Sequence, residues 1–510
     1  MTSQVASPPE AADGAAIGGR RWALLGIAFA TSTLYAMTLL VVSVILPQIQ
    51  GSLSATPDQI SWTMTYNILA TAIVTPISGW LASRFGSRNV MLFCMAGFGI
   101  VSLLCGFATS LESLVFFRIL QGALGAPLVP LPQATVLSAF PKSQHPLATS
   151  IFGMGVVTGP ILGPIYGGYL AEVYDWRWAF FMIAPMAGVV FIGLWALLPK
   201  DTVKQPTRFA WFGFMALSTA LTCLQLILDR GQRLDWLDSI EITTEIVIGL
   251  LALGIFIAHN MLVRTPLLNF RHLTNWNYTL GLIIVTVYGM LNFTPMVMLP
   301  PMLKELGGYP ESIIGTLISG RGVGAIFGFF VAGWIARYDP RIGITLGYLL
   351  QAWSGYLMWG FTADVAPYEV MITSVIQGIC VGIIWVPLTV STFSRVDSQH
   401  LGETSAVYHL LRNLGSSIFI SLSVTTVIRT QTMNYSHLRE FITPFNEAFL
   451  KFSSLTGIEL DRAQDLAQLN AMVTDQAQMV GFLNAFGLYT VVCLAILPIV
   501  WMIKPPKRYA

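Results

Sequence analysis

The chain has 510 residues, of which 55% are hydrophobic and only 10% charged, and its mean hydropathy is +0.68. Soluble domains carry roughly 25% charged residues, so this composition cannot clothe a water-facing surface and points to a polytopic membrane protein. A net charge of +2 offers no footing for nucleic acid, and the five cysteines (Cys94, Cys105, Cys223, Cys380, Cys493) sit apart in apolar runs without disulfide or zinc-ligand spacing.

Residues 1–20, rich in Ala, Ser, Pro and Gly, read as a disordered cytoplasmic tail. The apolar run from Trp22 to Pro47 is too long for the core of a cleavable signal. A spanning helix needs about 20 apolar residues, which yields fourteen segments: roughly 22–47, 58–83, 89–108, 112–139, 146–170, 178–199, 208–228, 240–262, 274–296, 311–336, 341–362, 366–393, 403–430 and 478–503. Continuous apolarity without ten-residue alternation makes them helices rather than barrel strands. With the N-terminus inside, the inner segments hold sixteen of the 27 Lys and Arg, while the short outer loops hold only Arg177, Arg230, Arg233 and Lys304. That bias places both termini in the cytoplasm.

Two stretches repeat. "GWLASRFGSR" (79–88) returns as "GWIARYDPR" (333–341), and "ILQGALGAPLVPL" (119–131) as "VIQGICVGIIWVPL" (375–388). The offset equals one six-helix unit plus two helices. The expected architecture is an all-α polytopic membrane protein with two parallel six-helix bundles, over 21–200 and 266–510. A two-helix insertion spans 201–265, and a long periplasmic loop lies at about 431–477. Internal repeats of this kind place a substrate cavity between halves in secondary transporters.

The inner hinge supplies glycines for tight helix ends and arginines for helix C-termini. Gly79, Arg84, Gly86 and Arg88, with Arg337, Asp339 and Arg341 in the second copy, are therefore candidates for a conformational latch. Arg118, in "FFRILQG", lies about 9 Å inside its helix at 1.5 Å per residue. A cation there is costly and should face a partner or a cavity; Ser374 takes its place in the second copy. Gly155, Gly159, Gly163 and Gly167 recur every fourth residue, with Pro160 among them. They form one small-residue face suited to close helix approach or to a rocking surface.

Arg321 and Arg412 also fall at mid-depth, whereas Asp58, Glu112, Glu172, Asp229 and Glu403 lie near helix ends. A cavity lined by cations alone suits an anionic or zwitterionic ligand. Candidate cavity residues are Arg118, Gln121, Arg321, Gln377, Arg412, Asn413 and Thr38; candidate proton-coupling residues are Arg118, His409, Glu112 and Asp229. No metal-ligand cluster, nucleophile elbow or phosphate-binding loop is visible, so neither an enzyme nor a cofactor is expected.

"GWLASRFGSR", "FFRILQG", "GPILGPIYGG" and "DWRWAFF", in that order and with two central extra helices, resemble the major facilitator superfamily. More narrowly they resemble its fourteen-helix drug:proton antiporters of the EmrB type, as do "LDRGQRLDWLDSIEI" and "PFNEAF". The resemblance implies alternating access in the bacterial inner membrane and efflux driven by proton entry. It also implies a tripartite assembly with an EmrA-type periplasmic adaptor and a TolC-type outer-membrane channel. By resemblance Arg118 is the coupling arginine, Gly79, Arg84, Gly86 and Arg88 are the inner latch, and Gly159, Pro160, Gly163 and Gly167 belong to the antiporter motif. The chain departs from the pattern in its first helix, where "MTLLVVSVILP" puts Thr38 at the usual Asp and Ser43 at the usual Asn. Loss of that carboxylate agrees with a basic cavity and favours export of an acidic compound such as a carboxylate siderophore, fatty acid or aromatic acid. An importer or facilitator on the same scaffold is the alternative, with a transporter-like sensor more remote.

Overall fold

A computed structural model describes every residue except 1–18, 56, 200–208, 264–265, 336–338, 398–399, 459–461 and 505–510. The expected disordered tail thus falls almost wholly outside the described residues, as does Arg337. Among the described residues all regular structure is helical.

The first half comprises α1 (Gly19–Leu53), α2 (Pro57–Val74), α3 (Ser78–Phe85), α4 (Ser87–Gly106), α5 (Leu111–Gly125), α6 (Pro130–Ala139), α7 (His145–Val173), α8 (Trp178–Phe181) and α9 (Ile183–Leu197). Proline removes a ladder donor. Pro76 and the Pro127/Pro130 pair accordingly divide two long rods into α2–α3 and α5–α6, each joined by a 3-10 turn. A hairpin of α10 (Trp211–Arg230) and α11 (Ile240–Leu262) follows. The second half comprises α12 (Trp276–Glu305), α13 (Glu311–Ile335), α14 (Pro340–Trp359), α15 (Pro367–Phe393), α16 (Leu401–Glu440), α17 (Glu447–Thr456), α18 (Ala463–Ala495) and α19 (Leu497–Trp501).

Counting kinked pairs once and setting aside the short α17 gives the fourteen rods expected, of which 13 are long and apolar enough to cross a membrane. The remaining one, α14, has 20 residues, and Gln351, Ser354 and its tyrosines dilute its apolarity. Each half has its own core, one running from Leu24 to Leu198 and one through α12–α19. Large apolar residues such as Phe93, Val189, Trp195, Phe330 and Trp334 face outward, as a bilayer requires and water would not permit.

The internal repeat extends to individual contacts. A Cβ on Gly122 would meet the Asn67 carbonyl oxygen at 2.3 Å, and one on Gly378 would meet the Arg321 carbonyl oxygen at 2.0 Å. Gln121 donates to Ser102 Oγ (2.7 Å) and Gln377 to Ser354 Oγ (3.2 Å). The repeated Gln-Gly pair therefore clamps equivalent helices together inside each half.

The two halves touch at the end that carries the hinges. Gly79 of α3 lies against the first turn of α16, where a Cβ would stand 2.6 Å from Glu403 Cα. In the mirrored contact, a Cβ on Gly333 of α13 would stand 3.0 Å from Ser150 Oγ of α7. Nearby, Ser405 donates to the Pro130 carbonyl (3.2 Å), and Gln133 Oε1 bonds both Ser405 and His409. All cross-half hydrogen bonds described between the bundles lie on this side. The α10–α11 hairpin covers one seam: its α10 packs on α2 and α16, with Ser421 Oγ donating to the Leu228 carbonyl at 2.8 Å.

The stretch 431–477, expected as a long periplasmic loop, is mostly helix among its described residues. At roughly 1.5 Å per residue, the 40 residues of α16 span about 60 Å, twice a hydrocarbon core of about 30 Å. α16 and α18 continue past the bundle together, joined by Tyr435–Asn470 (2.6 Å), and α17 caps them through a small cluster of Phe449, Ile458 and Leu469.

Candidate functional site

Between the halves, α7 faces α12, α13, α15 and α16 across a cavity lined by Gly153, Val156, Val157, Pro160, Ile161, Tyr288, Asn292, Phe293, Met296, Arg321, Trp385 and Arg412. Its chemistry is two guanidiniums on one wall and aliphatic and aromatic surface on the rest, with no carboxylate among the lining residues. Arg321 donates from Nη2 to both the backbone carbonyl and the side-chain oxygen of Asn292, at 2.5 Å each, while its buried Nη1 has no hydrogen-bond partner. Arg412 donates to Asn413 Oδ1 (3.0 and 3.3 Å) and lies 5.5 Å above the Trp385 ring. That distance is within cation–π range. Trp385 also packs against Tyr288, Tyr408 and His409 at 5.5–5.8 Å between ring centres. The open volume is only about 20 Å³, one or two waters' worth at roughly 10–15 Å³ each by this measure. This conformation holds the site constricted.

The sequence-derived cavity set divides. Arg321 and Arg412 line the cavity, and Asn413 stands behind Arg412 as its acceptor. Arg118 does not line it. It is 1% exposed inside the first half and donates to the Thr63 carbonyl (3.0 Å) and to Gln121 Oε1 (2.5 Å). Its own carbonyl accepts from Asn67 Nδ2 at 2.7 Å. Gln121 and Gln377 serve the paired clamps, and the Thr38 hydroxyl is spent on the Tyr35 carbonyl (2.7 Å). In this conformation each of these four satisfies its polar group within its own half and stands outside the lining described here.

Among the proton-coupling candidates, His409 lies at the junction of the halves. It is 1% exposed, bonded through Nε2 to Gln133, and its Nδ1 lacks a partner. Glu112 is exposed in the first turn of α5, and Asp229 bonds Thr65 of α2 at the end away from the hinges. Neither has a described hydrogen bond or ion pair with His409 or Arg118.

The hinge candidates also separate by role. Gly86 ends α3 with φ +89°, a conformation glycine adopts at little cost. Arg88 donates to the Trp195 carbonyl (2.7 Å) at the C-terminal end of α9, where a cation is favoured. That bond ties α4 to α9 within one half. Arg84 is exposed, and Asp339 caps α14 by accepting from the Arg341 amide at 2.9 Å. The glycine of the motif, rather than its arginines, makes the cross-half contact described here.

The glycine face of α7 turns toward α1. Cβ atoms on Gly155, Gly159, Gly163 and Gly167 would meet Phe29, Thr33, Met37 and Val41 at 2.4–2.8 Å. Pro160 lies on the cavity side of the same helix. The motif therefore packs α7 tightly against α1 within the first half.

Gln133, Tyr288, Asn292 and Trp385 were missed by sequence reasoning. Gln133, in "PLPQATV", carried a usable signal as a polar residue inside an apolar run. The aromatic pair had none, because Trp and Tyr in an apolar helix read as core or as interface anchors.

The sequence profile of the Major Facilitator Superfamily matches residues 27–420. The chain is 30% identical to the multidrug export protein EmrB of Escherichia coli K12 over 476 residues, covering 91% of this chain and 92% of the relative. It is also 30% identical to the fatty acid resistance protein FarB of Neisseria gonorrhoeae, with 91% and 92% covered. Among solved structures, the human organic anion transporter MFSD10 superposes with a TM-score of 0.61 at 12% identity, covering 93% of this chain and 99% of that one. At that identity the likeness concerns the fold alone.

Proposed function

This chain belongs to the major facilitator superfamily as an EmrB-like, multi-pass exporter and not an enzyme, and on that premise we propose that its cargo is an anionic or zwitterionic amphiphile. The observation that carries this reading is the pair Arg321 and Arg412, which share one cavity with Val156, Val157, Ile161, Phe293 and Met296 and no acid. A buried guanidinium is costly without a counter-charge, and the free Nη1 of Arg321 provides a donor that a carboxylate head would satisfy. The apolar wall suits its tail. Thr38, where the family pattern has an acid, removes a group that would hold a cation. The relative named for fatty acid resistance supports the same class. Entry of cargo requires the constricted lining to part, and the flexible Met296 side chain offers the easiest adjustment.

We place the hinge end in the cytoplasm of a bacterial inner membrane, by the sixteen inner cations counted above. The conformation is then closed inward, and proton entry resets it. His409, buried at the junction of the halves, is the group best positioned to exchange a proton during that reset. The paired extensions of α16 and α18, with Phe441, Phe445 and Leu455 exposed at their tip, support docking of a periplasmic adaptor that hands cargo to an outer-membrane channel.

The test is uptake into inverted vesicles under an imposed pH gradient, using a medium-chain carboxylic acid and the amine of equal chain length. The acid should accumulate in the wild type, and Arg321→Ala and Arg412→Ala should each reduce its uptake at least tenfold. Preferential accumulation of the amine, unchanged by either substitution, would refute an anion site.

A further inference from the structure

We propose a transition-metal site formed by His272, His400 and Glu403, fitted to Zn²⁺, at the start of α16 beneath the cross-half contact of Gly79. One ligand atom from each of the three residues falls within 4.8 Å of the others. His272 Nε2 lies 3.7 Å from Glu403 Oε2, and the two imidazole rings stand 4.8 Å apart. Two histidines and a glutamate, with a fourth position for water, form a donor set that zinc accepts in tetrahedral geometry at about 2.0–2.2 Å. Closing from the present spacing takes side-chain rotation of an ångström or so.

Three features separate this cluster from an incidental ion pair. Glu403 is already aimed, because its other oxygen, Oε1, accepts the Asn269 amide at 2.6 Å. An outer partner of that kind orients a ligating carboxylate. His272 Nε2 is buried and has no hydrogen-bond partner, so the nitrogen that would bind metal is not otherwise used. The backbone around it is also held. Asn260 at the end of α11 accepts the Leu267 amide (3.0 Å) and donates to the Leu268 carbonyl (2.5 Å), which fixes the segment that delivers His272. The spacing gives no sign of a metal site, since 128 positions separate His272 from His400 and no motif joins them.

An ion here would pin the segment leaving the α10–α11 hairpin to the first turn of α16, the turn on which Gly79 rests. It would stiffen the seat of the cytoplasmic closure without bonding the two halves to each other. This claim does not depend on the cargo.

The experiment titrates ZnCl₂ into untagged, metal-stripped full-length protein in detergent, by calorimetry and by thermal unfolding. One equivalent should bind with micromolar or tighter affinity and raise Tm. His400→Ala and Glu403→Gln should each weaken binding at least tenfold in protein that elutes as a single species. Co²⁺ should give the visible absorption of a tetrahedral nitrogen–oxygen site, lost in His400→Ala. Absence of stoichiometric binding by the wild type would overturn the proposal, whatever the variants do. So would full affinity in both variants, which would assign the ion to other ligands.

Discussion

Gly79→Ala is the most informative single substitution. The added methyl would stand 2.6 Å from Glu403 Cα and 2.8 Å from its amide nitrogen. Both are backbone atoms of a helix start held by other bonds, so no side chain can rotate away. Overpacking of this kind costs roughly 1–3 kcal/mol. Here the strain exists only while the two halves meet at the hinge end, because Gly79 and Glu403 belong to different halves. The cost therefore falls on one state of the alternating cycle and shifts its equilibrium about 5- to 150-fold toward the other. Gly163→Ala is the matched control. Its Cβ would meet the Met37 carbonyl oxygen at 2.5 Å within one half, so it should lower Tm without moving the conformational balance. Spin labels at Ser138→Cys and Asp397→Cys, exposed on opposite halves at the hinge end, report the change in a background where the five buried native cysteines are replaced. Gly79→Ala should enrich the longer distance and slow export. An unchanged distance distribution in a folded Gly79→Ala protein would refute the view that this contact defines the closed state.

Gln133→Leu removes the acceptor shared by Ser405 and His409; Ser405 keeps the Pro130 carbonyl, so His409 Nε2 is the group left orphaned at a buried junction, at about 1–3 kcal/mol. The same spin-label pair should show hinge-end opening, and it should be additive with Gly79→Ala only in part, since the two sites share α16. Replacing residues 441–462 by a Gly/Ser linker of roughly six residues should preserve Tm and monodispersity, because α16 and α18 are already held together at Tyr435–Asn470. Co-purification with a co-expressed periplasmic adaptor should be lost; retained capture would move the docking surface elsewhere.

What the sequence made legible follows from what it encodes locally. Apolar runs fix helices, and the hinge and Gln-Gly echoes fix the duplication, because each is a short-range pattern. The location of a polar side chain across the bundle is not short-range. Arg118, Arg321 and Arg412 look alike in sequence, each a lone cation in an apolar helix. Which of them faces a cavity depends on how fully the neighbouring helices take up its donors: Arg321 also reaches a carbonyl, that of Asn292, but keeps Nη1 unpartnered. Thr63 sits where Arg118 can reach its backbone oxygen, and nothing in either helix's own pattern announces that. Likewise the glycines of α7 declare close packing, but only the opposing helix decides whether they weld a half together or slide against the other.

The arginines also break the symmetry of the repeat in a way that bears on function. On α2 the position clamped by the Gln-Gly pair is Asn67, and on α13 it is Arg321. On α5 the arginine is Arg118, and on α15 its counterpart is Ser374. Of the arginines tied to the two Gln-Gly clamps, Arg118 and Arg321 thus stand on non-equivalent helices, and of these two only that of α13 lines the shared cavity. The first half spends its charge on its own backbone. Arg118→Met should therefore lower Tm, since it strips the Thr63 carbonyl and Gln121 of a buried charge-assisted donor worth about 1.5–3 kcal/mol each, while the ratio of acid to amine uptake stays at the wild-type value in whatever protein folds. Arg321→Ala should collapse that ratio. If Arg118→Met changed the ratio as strongly as Arg321→Ala, the charge of the first half would have to be reaching cargo in another state of the cycle, and the assignment of selectivity to the second half would fail.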